Sequence, residues 1–374
     1  MSEKDGDYMK YICEFFSASD RTDGGIYRMA LTDTLDFIEI SKIDLPNVQW
    51  IELDGDRLCA AYRDKQNGDG YVEFSLDGKR LGDIIRTRGE NVCHFCKDGS
   101  DVYFANYDDG CVSKSGGKAF IQSGETGPMK ARQTTAHAHE CIFSPDKRYV
   151  LACDLGLDAV IVYDRELNEI SRAKVLPGQG VRHAVFSKDG TKLYAITELG
   201  STIASFSWND GRLTYEKTYN MLQSSGRGDG AEIVLSDDGR HLYATNRANR
   251  EFGTDNLICH FTVGEELSLV SRVSSVGDHP RHFALICGGK YALSSNTFGN
   301  SLSLFKIKDD GELWFIKTEP FPTPMCIKEI LECADLRSLF GAFSESNKKR
   351  SLHRIGNSAD FLLRITFLRL HPRR

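Results

Sequence analysis

Apolar and polar residues alternate along most of the chain in short runs separated by polar turns, a pattern typical of β-strands. In Gly180–Trp208, GVRHAVFSKDGTKLYAITELGSTIASFSW, two alternating strands flank a Lys-Asp-Gly turn and a third strand follows a short polar loop. Apolar positions such as Leu193 can build a sheet face, whereas Arg182, His183 and Glu198 lie at one end of the strands. The pattern predicts an apolar scaffold with a charged rim.

The same pattern recurs along the chain, with the turn repeating at intervals of roughly 43 to 50 residues, close to the period of propeller blades. A weaker copy, in which Asp-Gly-Asp replaces the turn, covers Pro46–Gly78. The other copies are Asn91–Lys114, Ala138–Asp164, Gly230–Val263 and His279–Ile307. A repeat architecture is therefore predicted.

The first copy, Tyr8–Leu31 with a further strand at Phe37–Ile43, lacks its first strand. Six fuller copies follow, and Pro324–Ile330 can supply the missing strand, which closes the ring without free sheet edges. The fuller copies begin near Pro46, Asn91, Ala138, Val181, Ala231 and Arg281. We predict an all-β, seven-bladed β-propeller over residues 8–330, closed by pairing of the N- and C-terminal strands.

From residue 331 onward the blade pattern stops, and residues 331–374 form a basic extension. Such a tail can bind nucleic acid, membrane or a partner, but the interpretation that we favour is an irregular, poorly ordered appendage. We expect one domain. Each blade of a closed repeat packs only on its neighbours, so such a domain can reach the length of this chain, 374 residues.

Composition excludes several classes of protein. The net charge of -6 argues against a general nucleic-acid binder. No apolar run approaches the roughly 20 residues of a membrane span. The opening MSEKDGDYMK lacks the basic and apolar segments of a signal peptide, which favours a cytoplasmic protein. A closed ring needs no partner for its edges, so a monomer is expected.

The 11 cysteines are an odd number, and most lie in apolar strands, where a reduced thiol behaves as a small hydrophobe. We expect no disulfide framework. Cys93 and Cys96 form a lone CxxC pair, which is more typical of two strand cysteines than of a zinc or redox site.

Hairpin geometry places the polar residues at one end of the inner hairpins, because residues equidistant from a turn face each other. The predicted neighbours are Arg182 with Glu198, His139 with Cys153 and Asp154, Ala231 with Arg247, His282 with Asn296, and Asn91 with Asn106. In a propeller these ends converge on one mouth of the central channel and form a pocket.

These residues have alternative interpretations. His137 and His139 share one strand face but lack a nearby acidic ligand set, so a metal site is disfavoured. Arg182, Arg247 and Arg281 can be structural partners of carboxylates, although three on one rim favour anion binding. Glu198 can be catalytic or only the ion-pair partner of Arg182.

The segments HAHECIFSPDKRYVLACDLG, GVRHAVFSKDGTKLYAITELGST, AEIVLSDDGRHLYATNR and HPRHFAL resemble the seven-bladed propeller lactonases, the family of bacterial 6-phosphogluconolactonase and fungal 3-carboxymuconate cyclase. The resemblance extends from Tyr8 to about Ile327. Cys13-Glu14 departs from the Gly-Thr pair that the family usually has after its first strand, and the tail has no counterpart.

The resemblance implies hydrolysis of a small anionic lactone without cofactor or metal. The residues that it implies as catalytic are His139, Arg182, Glu198 and Arg247. Those predicted to bind substrate are His137, His183, Asn246, Arg281, His282 and Asn296. Glu198 or His139 would act as general base on water, while Arg182 and Arg247 hold the oxyanion and the anionic group of the substrate.

The leading substrate is 6-phosphogluconolactone, in the pentose phosphate route. A cyclase or lactonase acting on a carboxymuconate-type or other acidic lactone is the second hypothesis. A non-catalytic interaction platform is the third, because a fold does not determine a function. The His, Arg and Glu residues concentrated at the channel mouth argue against a platform.

Overall fold

A computed structural model of the chain describes residues 10–223, 228–249 and 253–330. In these ranges 28 strands form seven four-stranded antiparallel sheets. In chain order the strands are β1 (Tyr11–Ser19), β2 (Gly25–Thr32), β3 (Phe37–Asp44), β4 (Val48–Asp54), β5 (Arg57–Tyr62), β6 (Gly70–Ser75), β7 (Arg80–Arg86), β8 (Val92–Asp98), β9 (Asp101–Asn106), β10 (Cys111–Lys114), β11 (Ala119–Ile121), β12 (Ala138–Phe143), β13 (Val150–Asp154), β14 (Ala159–Tyr163), β15 (Glu169–Lys174), β16 (Val181–Phe186), β17 (Lys192–Thr197), β18 (Thr202–Asn209), β19 (Arg212–Asn220), β20 (Asp229–Leu235), β21 (His241–Arg247), β22 (Leu257–Val263), β23 (Leu267–Ser274), β24 (Pro280–Ile286), β25 (Tyr291–Asn296), β26 (Ser301–Ile307), β27 (Leu313–Pro320) and β28 (Pro324–Ile330).

Each sheet is one blade of a propeller. Blade 1 has the strand order β28-β1-β2-β3, and blades 2 to 7 take four consecutive strands each, from β4–β7 to β24–β27. The inner strands contact one another in a closed ring, from β4 through β24 to β28 and back to β4. Strand β28 pairs with β1, with Lys328 opposite Phe16. The predicted seven-bladed fold and its closure by Pro324–Ile330 are therefore confirmed.

The repeated turn has the same geometry in different blades. In blade 5 the Asp189 carboxylate accepts a hydrogen bond from the backbone N–H of Thr191 at 3.0 Å, and Gly190 adopts a φ of 71°. In blade 6, Gly239 follows Asp238 with a φ of 73°. A positive φ favours glycine because it has no Cβ, which explains why Asp-Gly recurs at this position.

The blades are held together by apolar side chains between neighbouring sheets. Between blades 4 and 5, for example, Leu151, Val162, Ala195 and Phe206 are buried in one cluster. Burial of each large apolar side chain contributes about 1.5–3 kcal/mol. This packing forms a firm support for the strand ends around the channel.

One disulfide bond corrects the expectation from the sequence. Cys13 of β1 is bonded to Cys287, which follows β24, across a sequence separation of 274 residues. The other eight cysteines of the described residues are free. Ring closure places blade 1 beside blade 7 and brings the two thiols together, a proximity that strand patterning does not reveal.

Two further predictions concern the ends of the chain. The basic extension 331–374 and the first residues of the predicted domain, 8 and 9, lie outside the described residues. Among the residues that the structure describes, no helix has the length and hydropathy needed to cross a membrane.

Candidate active site

The inner hairpins of blades 2 to 7 each carry a β-bulge at the same end of the channel, where the innermost strand has one extra residue. The extra residue is His139 in blade 4, Arg182 in blade 5 and Arg281 in blade 7. A bulge turns a side chain away from its regular position in the sheet. Three predicted site residues therefore occupy the same position in three blades, at what we call the upper mouth of the channel.

The bulges also shift the predicted cross-strand neighbours. Arg247 lies opposite Asp229 instead of Ala231, and Asn106 lies opposite Val92 instead of Asn91. An uninterrupted register would pair Arg247 with Gly230 and Asn106 with Cys93, so the extra residue moves the partner of Arg247 away from the predicted residue and that of Asn106 towards it. The predicted proximity of Arg182 and Glu198 holds, because Arg182 is itself the extra residue of blade 5 and its Nε donates to Oε2 of Glu198.

Glu198 is the centre of the upper mouth. It follows β17, and its backbone N–H donates to the carbonyl oxygen of Gly180 at 2.7 Å, while its own carbonyl accepts from the Gly230 N–H at 2.9 Å. Gly180 precedes β16 and Gly230 belongs to β20 of the next blade. Two blades therefore fix the position of the buried Glu198 side chain.

Three guanidinium groups surround the Glu198 carboxylate. Its Oε2 accepts from Nε of Arg182 at 3.1 Å and lies 2.9 Å from Nη2 of Arg247, and its Oε1 pairs with Arg132. Burial alone would raise the pKa of Glu198, but the charges of Arg247, Arg132 and Arg182 hold it well below its ordinary value. Glu198 is thus an anchor for three arginines that is ionised at neutral pH.

Arg132 is a site residue that the sequence analysis missed. It lies in the connection between β11 and β12, where its Nη2 also donates to the Tyr107 hydroxyl at 3.3 Å and its Nη1 lies 3.9 Å from Oδ1 of Asp229. The residue has no place in the repeated strand pattern. The only signal in the sequence is the unusual length of this connection, residues 122–137.

The upper mouth has an excess of positive charge. Four arginines, at positions 132, 182, 247 and 281, face the two carboxylates of Glu198 and Asp229. Within the described residues Arg281 has no carboxylate within ion-pair distance. Burial and the charges of Arg182 and Arg247 lower the pKa of Arg281. An anion bound at this mouth would relieve that repulsion.

His183 joins this cluster to the layer below. Nη1 of Arg182 lies 3.3 Å from His183 Nε2, and His183 Nδ1 lies 3.0 Å from Oε1 of Glu232. Because a guanidinium only donates, Nε2 must accept and Nδ1 must carry the proton that it donates to Glu232. Burial and the charge of Arg182 lower the pKa of His183 well below its ordinary value, so the ring is neutral.

The ring of His139 lies beside that of His183, and the two ring centroids are 5.1 Å apart. Its side chain is buried, and its Nδ1 has no hydrogen-bond partner among the described residues. Burial and the charge of Arg182 lower the pKa of His139 well below its ordinary value. His139 is therefore an uncharged imidazole beside a cluster of cations.

Aromatic rings close the channel beneath the arginines. The Trp50 ring lies 4.2 Å, 5.5 Å and 5.3 Å from the rings of His94, His183 and His282, respectively. We call these rings, with that of His139, the aromatic layer. His282 thus lies in this layer, with Nε2 3.5 Å from Oε2 of Glu232.

Two more imidazoles belong to the upper mouth. His137 stacks on Tyr107 at a centroid distance of 4.6 Å, and its Nδ1 donates to the Tyr107 carbonyl oxygen at 2.7 Å. Because that bond keeps the proton on Nδ1, Nε2 can accept one. His279, which the sequence analysis did not single out, lies with Nε2 3.5 Å from Nη1 of Arg247.

Comparison with known proteins supports this description. The chain matches the family described as "Lactonase, 7-bladed beta-propeller" over residues 13–329. The chain belongs to this family. The resemblance proposed from the sequence is therefore confirmed.

Individual relatives of this propeller lactonase agree. A 6-phosphogluconolactonase of Formosa agariphila is 31% identical over 249 residues, which are 58% of this chain and 67% of that protein. A 6-phosphogluconolactonase of Bacillus subtilis is 30% identical over 292 residues, 71% of this chain and 82% of that protein. The crystal structure of a candidate 6-phosphogluconolactonase from Bacteroides fragilis, 26% identical, superposes with a TM-score of 0.77 over 88% of this chain and 100% of that one.

Two residues of this propeller lactonase that were predicted to bind substrate, Asn246 and Asn296, use their side-chain amides in hydrogen bonds within the protein. Asn246 accepts from the Ser201 hydroxyl at 2.7 Å and donates to the Asp255 carbonyl oxygen at 2.8 Å. Asn296 donates to the Ser303 hydroxyl at 2.8 Å and accepts from Ser294 at 3.2 Å. Both amides are buried and occupied by these contacts, so we withdraw Asn246 and Asn296 as substrate ligands.

Among the described residues, candidate metal ligands do not converge at the upper mouth. In the described ranges, one group of three His, Cys, Asp or Glu side chains could share an ion, and it consists of Cys13, Cys287 and Glu329, two of which form the disulfide. The CxxC cysteines are free thiols, and Sγ of Cys93 lies 3.1 Å from the His139 carbonyl oxygen. Burial raises the pKa of Cys93 to about 12, which suits a structural thiol.

Proposed function

We propose that this chain hydrolyses a small anionic lactone at the upper mouth, and that its substrate is 6-phospho-D-glucono-1,5-lactone, which yields 6-phosphogluconate. The observation that carries the proposal is the excess of guanidinium groups over carboxylates around Glu198. Phosphate and carboxylate groups form strong, charge-assisted and bidentate hydrogen bonds with arginine. The names of the relatives point to the same substrate.

The arginines supply two of the requirements of lactone hydrolysis. Arg281, which has no carboxylate partner in the described part of the chain, is suited to the anionic group of the substrate. Arg182 and Arg247 are held by Glu198 and by backbone carbonyl oxygens. For example, Nη1 of Arg182 donates to the carbonyl oxygen of Ala231 at 2.6 Å. Such fixed donors can stabilise a developing oxyanion without reorganisation, an effect worth about 10²–10³ in rate per donor.

The general base in this proposal is His139 and not Glu198. The lone pairs of Glu198 are occupied by three guanidiniums, and its lowered pKa makes it a poor proton acceptor. His139 is neutral, and its buried Nδ1 has no hydrogen-bond partner among the residues that the structure describes. Its lowered pKa weakens it as a base, but an anionic substrate next to the arginines would offset their effect on the imidazole.

The reaction then balances as follows. His139 takes a proton from water as the water oxygen attacks the lactone carbonyl carbon. The arginines hold the resulting oxyanion. When the tetrahedral intermediate collapses, the bond between the carbonyl carbon and the ring oxygen breaks, and the imidazolium returns its proton to the leaving alkoxide. The product is the open hydroxy acid.

Three further attributes belong to the proposal. We place the reaction in the oxidative pentose phosphate route, because that route produces and consumes this lactone and its acid. A cytoplasmic location and a monomeric chain stay predictions from the sequence. In the second enzyme hypothesis, the same arginines act on a carboxymuconate-type lactone. The experiment below distinguishes the two substrates.

The experiment follows the decay of freshly made 6-phosphogluconolactone with and without the purified protein, with and without EDTA. We expect acceleration over the spontaneous rate that survives EDTA and falls by about 10²-fold or more in Arg182→Ala. Arg212→Ala, on an exposed position of an outer strand, is the matched control and should behave as the wild type. No acceleration by folded protein would reject this substrate, and activity on a carboxymuconate-type lactone alone would favour the second hypothesis.

A further inference from the structure

A second cavity opens on the other side of the aromatic layer. It has a volume of about 610 Å³ and occupies the half of the channel at the opposite ends of the inner strands. Apolar side chains including Ile142, Val234 and Ala284 form part of its wall, and Trp50 lies at its inner end. This volume falls within the range of about 300–1,000 Å³ of small-molecule sites. We call it the lower cavity.

The three lysines around the lower cavity are already paired. Lys328 lies 2.6 Å from Glu52, Lys147 lies 3.0 Å from Asp98, and Lys97 pairs with Asp54. Positive charge in this cavity is therefore neutralised by carboxylates on its own wall or just outside it. Charged groups without such a partner lie instead at the inner end of the cavity.

The inner end carries two carboxylates, Glu140 and Glu232, that have no lysine or arginine of the described ranges within ion-pair distance. Oε2 of Glu140 accepts the Ala184 N–H at 2.6 Å, whereas Oε2 of Glu232, with His282 Nε2 at 3.5 Å, makes no hydrogen bond among the described residues. Glu232 is only 5% exposed, so this oxygen is a buried acceptor. Such an acceptor is costly unless a ligand or water satisfies it.

Two imidazoles beside these carboxylates also have unused atoms. Nδ1 of His94 and Nδ1 of His282 are buried without a hydrogen-bond partner in the described ranges. Burial lowers the pKa of His282 to about 3, so that ring adds no positive charge. Burial and the charge of Glu232 raise the pKa of Glu140 well above its ordinary value. A raised pKa favours the protonated form of Glu140, so Glu232 carries the negative charge of the inner end, beside spare hydrogen-bonding atoms.

We propose that the lower cavity is a binding site for a small organic cation, a protonated amine with a short apolar body. The ammonium group would donate to Oε2 of Glu232, and the body would contact Ile142, Val234 and Ala284. A metal ion is disfavoured, because no three ligand atoms of the described residues in this cavity lie within 4.8 Å of one another.

Calorimetric titration of the full-length protein with n-butylammonium chloride tests the proposal, and n-butanol is the uncharged counterpart. We expect saturable binding of the amine and none of the alcohol. Glu232→Gln removes the charge and retains the Oε1 that accepts from His183, so binding should weaken roughly tenfold or more. Ala284→Leu keeps every charge but fills part of the cavity, and should also weaken binding.

Glu39→Gln, on an exposed position of β3, is the matched control and should bind as the wild type does. If Glu232→Gln does not fold, Ala284→Leu decides the question. Absence of saturable amine binding by the wild type, or unchanged binding in both cavity variants, would overturn the proposal. The readout is binding and not lactone turnover, so its outcome is independent of the proposed function.

Discussion

Oε2 of Glu198 lies 2.9 Å from Nη2 of Arg247, although the two residues belong to neighbouring blades. The contact exists only because blade 5 packs against blade 6 in a defined register. Nε of Arg247 also donates to the Asp229 carbonyl oxygen at 3.1 Å, so its guanidinium is held from two sides. The upper mouth is therefore a product of inter-blade packing, and its chemistry should respond to changes at the anchor.

Replacement of Glu198 by Gln tests whether this residue is an anchor or a base. As an anchor, its loss removes the carboxylate that pairs with Arg182 and Arg247 and leaves Arg132 with Asp229, so we expect weaker orientation of the guanidiniums, a raised KM and a lower Tm. A base would instead show a lower kcat with unchanged KM. Steady-state kinetics and thermal unfolding distinguish these cases, and Glu216→Gln, on the outer strand β19, is the control.

The pH dependence of kcat/KM reports on the base. The pKa of His139 is lowered from its ordinary value of about 6.5, so the ring stays unprotonated until the pH falls well below that value. We expect kcat/KM, corrected for spontaneous hydrolysis, to be constant near neutral pH and to fall only when the pH is well below 6.5. In His139→Gln that decline should disappear and kcat should drop by about 10²–10⁴. An unchanged profile in the variant would exclude His139 as the base.

Arg281 should determine the preference for anionic substrates. Its replacement by Ala removes a cation that has no carboxylate partner in the described part of the chain, so the fold should tolerate the change. We expect a raised KM for 6-phosphogluconolactone and little change for the unphosphorylated gluconolactone. Arg281→Lys should recover part of the loss, because the charge remains without the planar fork. Equal effects on both lactones would remove Arg281 from recognition of the phosphate.

The Cys13–Cys287 disulfide should stabilise the closed ring. Dithiothreitol is expected to lower the Tm of the wild type and to leave that of a Cys13→Ser, Cys287→Ser double variant unchanged. The pairing of β28 with β1 already closes the ring, so we expect a loss of about 2 kcal/mol, at the low end of the usual range. A reductant effect of equal size in the double variant would assign the stabilisation to another cause.

The predicted domain boundary can be tested by truncation. A chain that ends at Ile330 retains all 28 strands of the described residues, and we expect it to keep wild-type activity and Tm. A chain that ends at Thr323 lacks β28, exposes an edge of β1 and should aggregate. Circular dichroism and size-exclusion chromatography measure both outcomes. Loss of activity in the chain that ends at Ile330 would show that the extension 331–374 contributes to the activity.

Much of the fold was predictable because its determinants are local. Alternation along each strand and the Asp-Gly turn at Gly190 repeat with the blade period, so the number of blades and the strand supplied by Pro324–Ile330 followed from the sequence. Local hairpin arithmetic also placed Arg182 near Glu198. The positions of the rim residues in the repeat therefore located the candidate site.

The details of the site were not predictable in the same way. The bulges at His139 and Arg281 alter which side chains leave the sheet, and alternation alone does not mark an extra residue. For the same reason a polar residue at the right end of a hairpin, such as Asn296, could be mistaken for a ligand when its amide is used inside its own blade.

Strand period and turn chemistry are short-range properties of the chain, so the seven-bladed propeller and its charged rim follow from local sequence. Which groups meet depends on the packing of the blades. Arg132 reaches Glu198 across 66 residues, and Cys13 reaches Cys287 across 274, because closing the ring brings distant segments side by side. Blade packing likewise decided that Glu198 is surrounded by guanidiniums and that His139 is neutral, since charge and burial depend on every neighbouring blade.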